Sequence, residues 1–125
     1  MATCILCDVI ASSPDVPFRR LFQPEEAESE ALLDTKSFVL IADVAPIVAG
    51  HCLVISKWHV EAIAGMGVKA LDELADLVAR VEGILKVAYG PCCAFEHGPG
   101  FEPSGTACIA HAHMHLLPIV ATFTC

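Results

Sequence analysis

Half of the six histidines in this 125-residue chain stand at alternate positions in one run, His111-Ala112-His113-Met114-His115-Leu116-Leu117-Pro118. In an extended strand successive side chains alternate faces, so three imidazoles at this spacing project together at a repeat of roughly 6.5–7 Å. Ala112, Met114 and Leu116 then point the other way, into a core. A helix would scatter the rings around its circumference. The run therefore predicts a strand with one apolar and one imidazole face. Imidazole titrates near neutrality and serves as nucleophile, acid, base or ligand, so three together read as a site. The competing readings are a polar strand face toward solvent and a histidine metal tract.

A length of 125 residues with 55% hydrophobic content predicts one globular domain spanning residues 1–125. After Glu102 no Asp, Glu, Lys or Arg follows, yet Pro103, Gly105, the histidines and Pro118 interrupt the segment, so it does not read as a membrane span. The start, Met1-Ala2-Thr3-Cys4, lacks a basic segment followed by an apolar stretch, and a cytoplasmic location is expected. Fifteen acidic residues against seven Lys and Arg give a formal charge of −8, which argues against nucleic acid as the main partner. Any phosphate must be captured locally. Seven cysteines, an odd number, read as reduced thiols, metal ligands or core residues, with Cys52, Cys92, Cys93 and Cys108 as packing residues.

Hydrophobic periodicity places the remaining elements. Residues 4–10 predict a short helical turn, closed by Ser12-Ser13-Pro14. Residues 19–23 and 31–34 read as short strands around a charged loop at 24–30, and 38–42 and 51–56 as better ones, apolar and β-branched. Across 68–89, Leu71, Leu74, Leu77, Val78, Val81 and Leu85 recur at three and four while charged residues take the other side. This long amphipathic helix should end at Gly90-Pro91. A strand at 92–96, a Gly/Pro-rich loop at 97–105 and the histidine strand at 107–117 complete an α+β fold. It has about five mostly antiparallel strands, one long helix and a short N-terminal one.

These blocks resemble the histidine triad (HIT) family of nucleotide hydrolases and transferases, and within it the zinc-containing, Hint-like members. The signature, His-x-His-x-His followed by two apolar residues and Pro, matches at 111–118. Cys4-x-x-Cys7, Asp43-x-x-Pro46, Gly50-His51-x-Leu53-Val54-Ile55-x-Lys57-x-His59 and Glu96-His97-Gly98 agree in order and spacing. The resemblance implies that His113 attacks the α-phosphorus of a nucleoside phosphate derivative, forming a nucleotidyl-imidazole that water hydrolyses. The second nitrogen of His113 would be held by a backbone carbonyl of the triad strand, and His115 would contact phosphoryl oxygens or the leaving group. Asp43 would accept the ribose hydroxyls, unless it only forms the turn ahead of Pro46. Val44 and Ile41 would line the base pocket, with Glu96, Gly98, Gly105, Thr106 and Cys108 around the phosphate. Cys4 and Cys7 form half a zinc site, which the resemblance completes with His51 and His111, making Zn²⁺ structural; otherwise both are unligated thiols. It also implies a homodimer.

The departures bear on the substrate. Many members carry Asn where this chain has Glu96, and a Gly-Gln-Ser-like run where it has Thr106-Ala107-Cys108. An acceptor-only carboxylate beside phosphate is unfavourable, Ala107 offers no side-chain donor, and Ile119 rather than Arg follows the triad. A small neutral or cationic leaving group such as an amine is therefore expected over a long polyphosphate. With these donors missing, a nucleotide-binding or zinc-dependent interaction module with little turnover stays open as an alternative.

Overall fold

The structure, a computed structural model, describes residues 4–11, 31–43, 46–96 and 111–119. Strands β1 (Leu33–Asp34), β2 (Phe38–Ala42), β3 (Cys52–Ser56), β4 (Cys92–Glu96) and β5 (His113–Pro118) form a sheet in the order β1-β2-β3-β5-β4. Every neighbouring pair is antiparallel. Helix α1 spans Ile5–Ile10, helix α2 Val68–Tyr89, and a 3-10 turn covers Ile63–Met66. The α+β architecture is the expected one. Residues 12–30, 44–45, 97–110 and 120–125, and the elements expected there, lie outside the described residues.

Alternation gives the sheet two different faces. Phe38, Leu40, Cys52, Val54 and Leu116 pack with Ala70, Leu74, Leu77, Val81 and Leu85 of α2. Leu71, expected on that stripe, is 39% exposed, and Ala70 takes its place because the buried row runs at 70, 74, 77, 81 and 85. On the opposite face Val39, Ile41, Leu53 and Ile55 meet Leu6 and Val9 of α1. The histidines belong to this second face, since His113 pairs with Ile55 and His115 with Leu53.

Helix α2 stops where expected. Gly90 adopts φ +94° and its N–H donates to the Lys86 carbonyl at 3.0 Å. Gly50, at φ +89°, has a second constraint: a Cβ there would lie 2.8 and 2.9 Å from ring carbons of Tyr89 and 3.0 Å from Pro118. Among the described residues, no helix is long and apolar enough to cross a membrane.

Leu116 is fully buried between α2 and the sheet centre. Leu116→Ala should lower unfolding free energy by about 2 to 5 kcal/mol in urea titration. Lys69→Ala, at an exposed position of α2, should stay within about 0.5 kcal/mol of the parent.

Candidate active site and metal-ligand cluster

The three histidines of the run all lie toward the α1 side of the sheet, while Ala112 and Leu116 join the α2-side core. The described strand begins at His113, and His111 with Ala112 precedes it. His111 is buried and donates from Nε2 to the Ser56 carbonyl at 2.8 Å, while Ala112 N–H donates to the Val60 carbonyl at 2.6 Å. With the Ser56 N–H donating to the Ala112 carbonyl at 3.1 Å, these bonds fix the segment beside the end of β3 with His111 toward α1. Its Nδ1 lies 3.3 Å from Cys4 Sγ and 3.4 Å from Cys7 Sγ.

The fourth member of this group is His59, whose Nδ1 is 3.3 Å from Cys7 Sγ. The ligand atoms of Cys4, Cys7, His59 and His111 all lie within 4.8 Å of one another, a group that could hold a metal ion. Zinc–sulfur bonds of ~2.3 Å and zinc–nitrogen bonds of ~2.0–2.1 Å give a tetrahedron with sulfur-to-nitrogen edges of about 3.5 Å, and the donor set fits. The His111 contact supports it from behind: Nε2 carries the proton to Ser56, so Nδ1 presents a lone pair to the thiols. Burial, then the neighbouring Cys4, then Asp8, push the Cys7 thiol upward, a cost that a cation would offset. Burial is also the first cause lowering His111, although its bond to Ser56 opposes the shift.

The expected ligand His51 is corrected by this geometry. Gly50-His51 opens β3, whereas Lys57-x-His59 follows its end, and α1 lies beside the latter. His59 was legible in the same sequence block, but spacing gave no means to choose between the two. His51 instead joins Asp43 and His115: its Nε2 is 2.8 Å from His115 Nδ1 and 3.3 Å from Asp43 Oδ2. Burial lowers the His51 pKa against the opposing charge of Asp43.

His113 is 6% exposed, and its Nδ1 sits 2.6 Å from the His111 carbonyl. A carbonyl only accepts, so Nδ1 holds a proton, and in the neutral ring Nε2 holds the lone pair. Across the sheet one row runs Ile41, Leu53, His115, Phe95 on the histidine face. Phe95 stacks on His115 with centroids 5.0 Å apart and an interplanar angle of 14°. Sequence reading missed Phe95, although strand alternation at 92–96 already separates it from Glu96.

That alternation overturns the expectation for Glu96. Glu96 pairs with Met114, which puts it on the α2 face, and its Oε1 accepts the Ile63 N–H at 3.0 Å. The carboxylate ties β4 to the 3-10 turn and turns away from the histidines. Val44, Gly98, Gly105, Thr106 and Cys108 lie outside the described residues. Cys93, expected as a packing thiol, is disulfide-bonded. Spacing and compartment do not report which sulfurs the folded chain brings together. Cys52 is the buried thiol expected, its pKa pushed up to about 11 by burial and then by Cys92.

A HIT domain model matches residues 24–121. Protein hit of Bacillus subtilis is 23% identical over 115 residues, covering 92% of this chain and 70% of that protein. A crystal structure of a HIT family member from Bacillus subtilis aligns at a TM-score of 0.73 and 20% identity, over 99% of this chain and 80% of that one. The structure of a hypothetical histidine triad nucleotide-binding protein from Sulfolobus tokodaii aligns at 0.67 and 26% identity, over 92% and 68%.

The two histidine groups make different predictions for a metal. Co²⁺ added to metal-depleted protein should give tetrahedral thiolate absorption saturating near one equivalent, because the two thiols and two imidazoles complete a four-coordinate site. His59→Ala should weaken that binding by about 10-fold or more, and His51→Ala should leave it unchanged. The reverse pattern would restore His51 as the ligand.

Proposed function

The chain belongs to the HIT domain family, and from that membership and the state of His113 we propose a hydrolase or nucleotidyl transferase acting at the α-phosphate of a nucleoside monophosphate derivative. One observation carries the reading: the His111 carbonyl holds a proton of His113 on Nδ1, so in the neutral ring the nucleophilic lone pair lies on Nε2. In the first step Nε2 forms a bond to phosphorus while the bond to the leaving group breaks, and an amine leaves with a proton from water. Water then attacks the nucleotidyl-imidazole, releasing the nucleoside monophosphate and regenerating His113. His115 donates to a phosphoryl oxygen as charge builds there. Asp43, at the end of β2 on the same face, accepts the ribose hydroxyls, and Ile41 contributes to the base pocket.

Cys4, Cys7, His59 and His111 would hold Zn²⁺, with His111 as a structural member of the triad. The ion supplies a cross-link between α1 and the segment entering β5. The chemistry at His113 belongs to the chain's own residues.

The leaving group in this reading is small and neutral or cationic, such as an amine. The absence of Arg after the triad and the Ala at 107 support it. The objection that Glu96 would repel phosphate falls away, because its carboxylate serves Ile63. That change favours turnover over a binding module. A homodimer is part of the proposal: β4 borders the sheet among the described residues, and Val68, Ile84, Val87 and Tyr89 leave apolar surface exposed on α2.

His113→Ala should fold normally by circular dichroism and lose kcat on adenosine 5′-phosphoramidate by on the order of 1,000-fold or more. Rapid quench of the parent protein should trap labelled nucleotide on His113. Full activity in the variant, or a kcat/KM higher on a dinucleoside polyphosphate, would defeat the nucleophile or the leaving-group assignment respectively.

A further inference from the structure

The two cysteines of the thiol-imidazole cluster are placed to react with each other as well as to hold an ion. Cys4 caps α1 and its Sγ accepts the Cys7 N–H at 3.4 Å, so both thiols lie on the first turn of one helix. Residues three apart on a helical turn have Cα atoms about 5 Å apart, inside the range of roughly 4.4–6.8 Å that a disulfide spans. The two sulfurs are within 4.8 Å of each other, and neither residue is buried, so a small oxidant reaches them. The other described cysteines are less suited. Cys93 is already disulfide-bonded. Cys52 is buried and its thiol is pushed up to about 11; burial also raises the half-buried Cys92 thiol, which faces the Glu82 carbonyl at 3.9 Å. A neutral thiol is a poor nucleophile, whereas a thiol that holds a cation is ionised.

A single peptide unit joins this cluster to His113. The carbonyl between His111 and Ala112 accepts from His113 Nδ1 at 2.6 Å, and the N–H of the same unit donates to the Val60 carbonyl at 2.6 Å. In a planar trans peptide the two groups point in opposite directions, so fixing the N–H aims the carbonyl. Both anchors of the unit adjoin cluster residues: His111 bears the carbonyl itself, and Val60 follows His59. An ion bound to His59 and His111 therefore clamps the Val60 segment against the peptide that receives His113. We propose that Cys4 and Cys7 form a redox switch, whose oxidation to a disulfide expels the ion and frees this peptide, loosening the acceptor that orients the His113 ring.

The oxidant is a hydroperoxide. One thiolate sulfur attacks its terminal oxygen, the O–O bond breaks, and the departing hydroxide or alkoxide takes a proton from solvent, leaving a sulfenic acid. The second thiolate attacks that sulfur, the S–S bond forms, and hydroxide departs and is protonated to water. Two electrons pass from the sulfur pair to the peroxide. A disulfide sulfur carries no charge, so two of the four candidate ligands are lost, and a pair of imidazoles alone holds the ion far less tightly. The His111 ring keeps its bond to Ser56, so the fold around it persists. What disappears is the tie between His59 and His111. The change is reversible, because a dithiol reductant returns both sulfurs to thiols by exchange and the ion can bind again.

Control of turnover rests on the hydrolase reading, whereas the disulfide and its effect on the His113 ring do not, and separate readouts distinguish them. In the full chain loaded with Zn²⁺, hydrogen peroxide should form a Cys4–Cys7 disulfide, seen by peptide mass spectrometry. It should also release close to one equivalent of Zn²⁺ to a chromogenic chelator. Long-range ¹H–¹⁵N correlation should place the His113 proton on Nδ1 before oxidation and show a mixture of tautomers after it. Dithiothreitol with added Zn²⁺ should restore the first spectrum. Cys92→Ala should release its ion at a rate within about 2-fold of the parent, since that thiol takes no part. On adenosine 5′-phosphoramidate, kcat should fall by about 10-fold or more on oxidation and return on reduction. Oxidation that falls first on Cys52 or Cys92 with the ion retained overturns the proposal. So does release of the ion with the His113 tautomer unchanged, or failure of the reduced chain to hold the ion at all. If the reduced, loaded chain shows no turnover, the hydrolase reading fails, and the disulfide, ion and tautomer readouts still decide the switch.

Discussion

The bond from His111 Nε2 to the Ser56 carbonyl governs the arrangement of everything around it. It is buried at both ends, where an unpaired polar group is most costly, so neither partner can be given up cheaply. The bond fixes the tautomer of His111 and thereby aims a lone pair at Cys4 and Cys7. It also holds the residue short of the strand, where the His111 carbonyl is placed to receive His113. Ser56 ends β3 and its hydroxyl donates to the Trp58 carbonyl, which anchors the segment leading to His59. One buried contact thus sets a thiol-imidazole cluster on one side and a nucleophilic ring on the other.

Much of this was legible in the residues and some was not. The alternation of Ala112, Met114 and Leu116 with the histidines placed the sheet between two layers, and the three-four spacing of α2 with its Gly90 stop placed the long helix. Those patterns are local, and physical periodicity decides them. The partition of the histidines is a different kind of fact. His51 and His59 flank the same strand, and only the docking of α1 beside the end of β3 selects the latter. Glu96 illustrates a related limit: its position suited a phosphate neighbour, but a ladder register that pairs it with Met114 points it at Ile63 instead. Register arises from contacts between distant segments, which a single sequence does not display.

Two groups of similar composition behave differently because of what stands behind them. His111 has a carbonyl at its remote nitrogen, and His51 has a backbone N–H at its own. The first arrangement releases a lone pair toward neighbouring donors; the second releases a proton. The identity of a histidine's function is therefore written in a main-chain atom on the far side of its ring. A search by residue type alone would treat the groups as equivalent.

Gly50 gives this arrangement a mechanical connection to the other side of the sheet. With no side chain there, the turn carrying His51 rests directly on the ring of Tyr89, the last residue of α2. The turn and the helix end thus meet as backbone against an aromatic edge, a gap that a Cβ at position 50 would close. A side chain at position 50 would therefore displace the Tyr89 ring at the end of α2, the turn that carries His51, or both. The smallest residue type thus sets how closely the covering helix and the histidine-bearing turn approach.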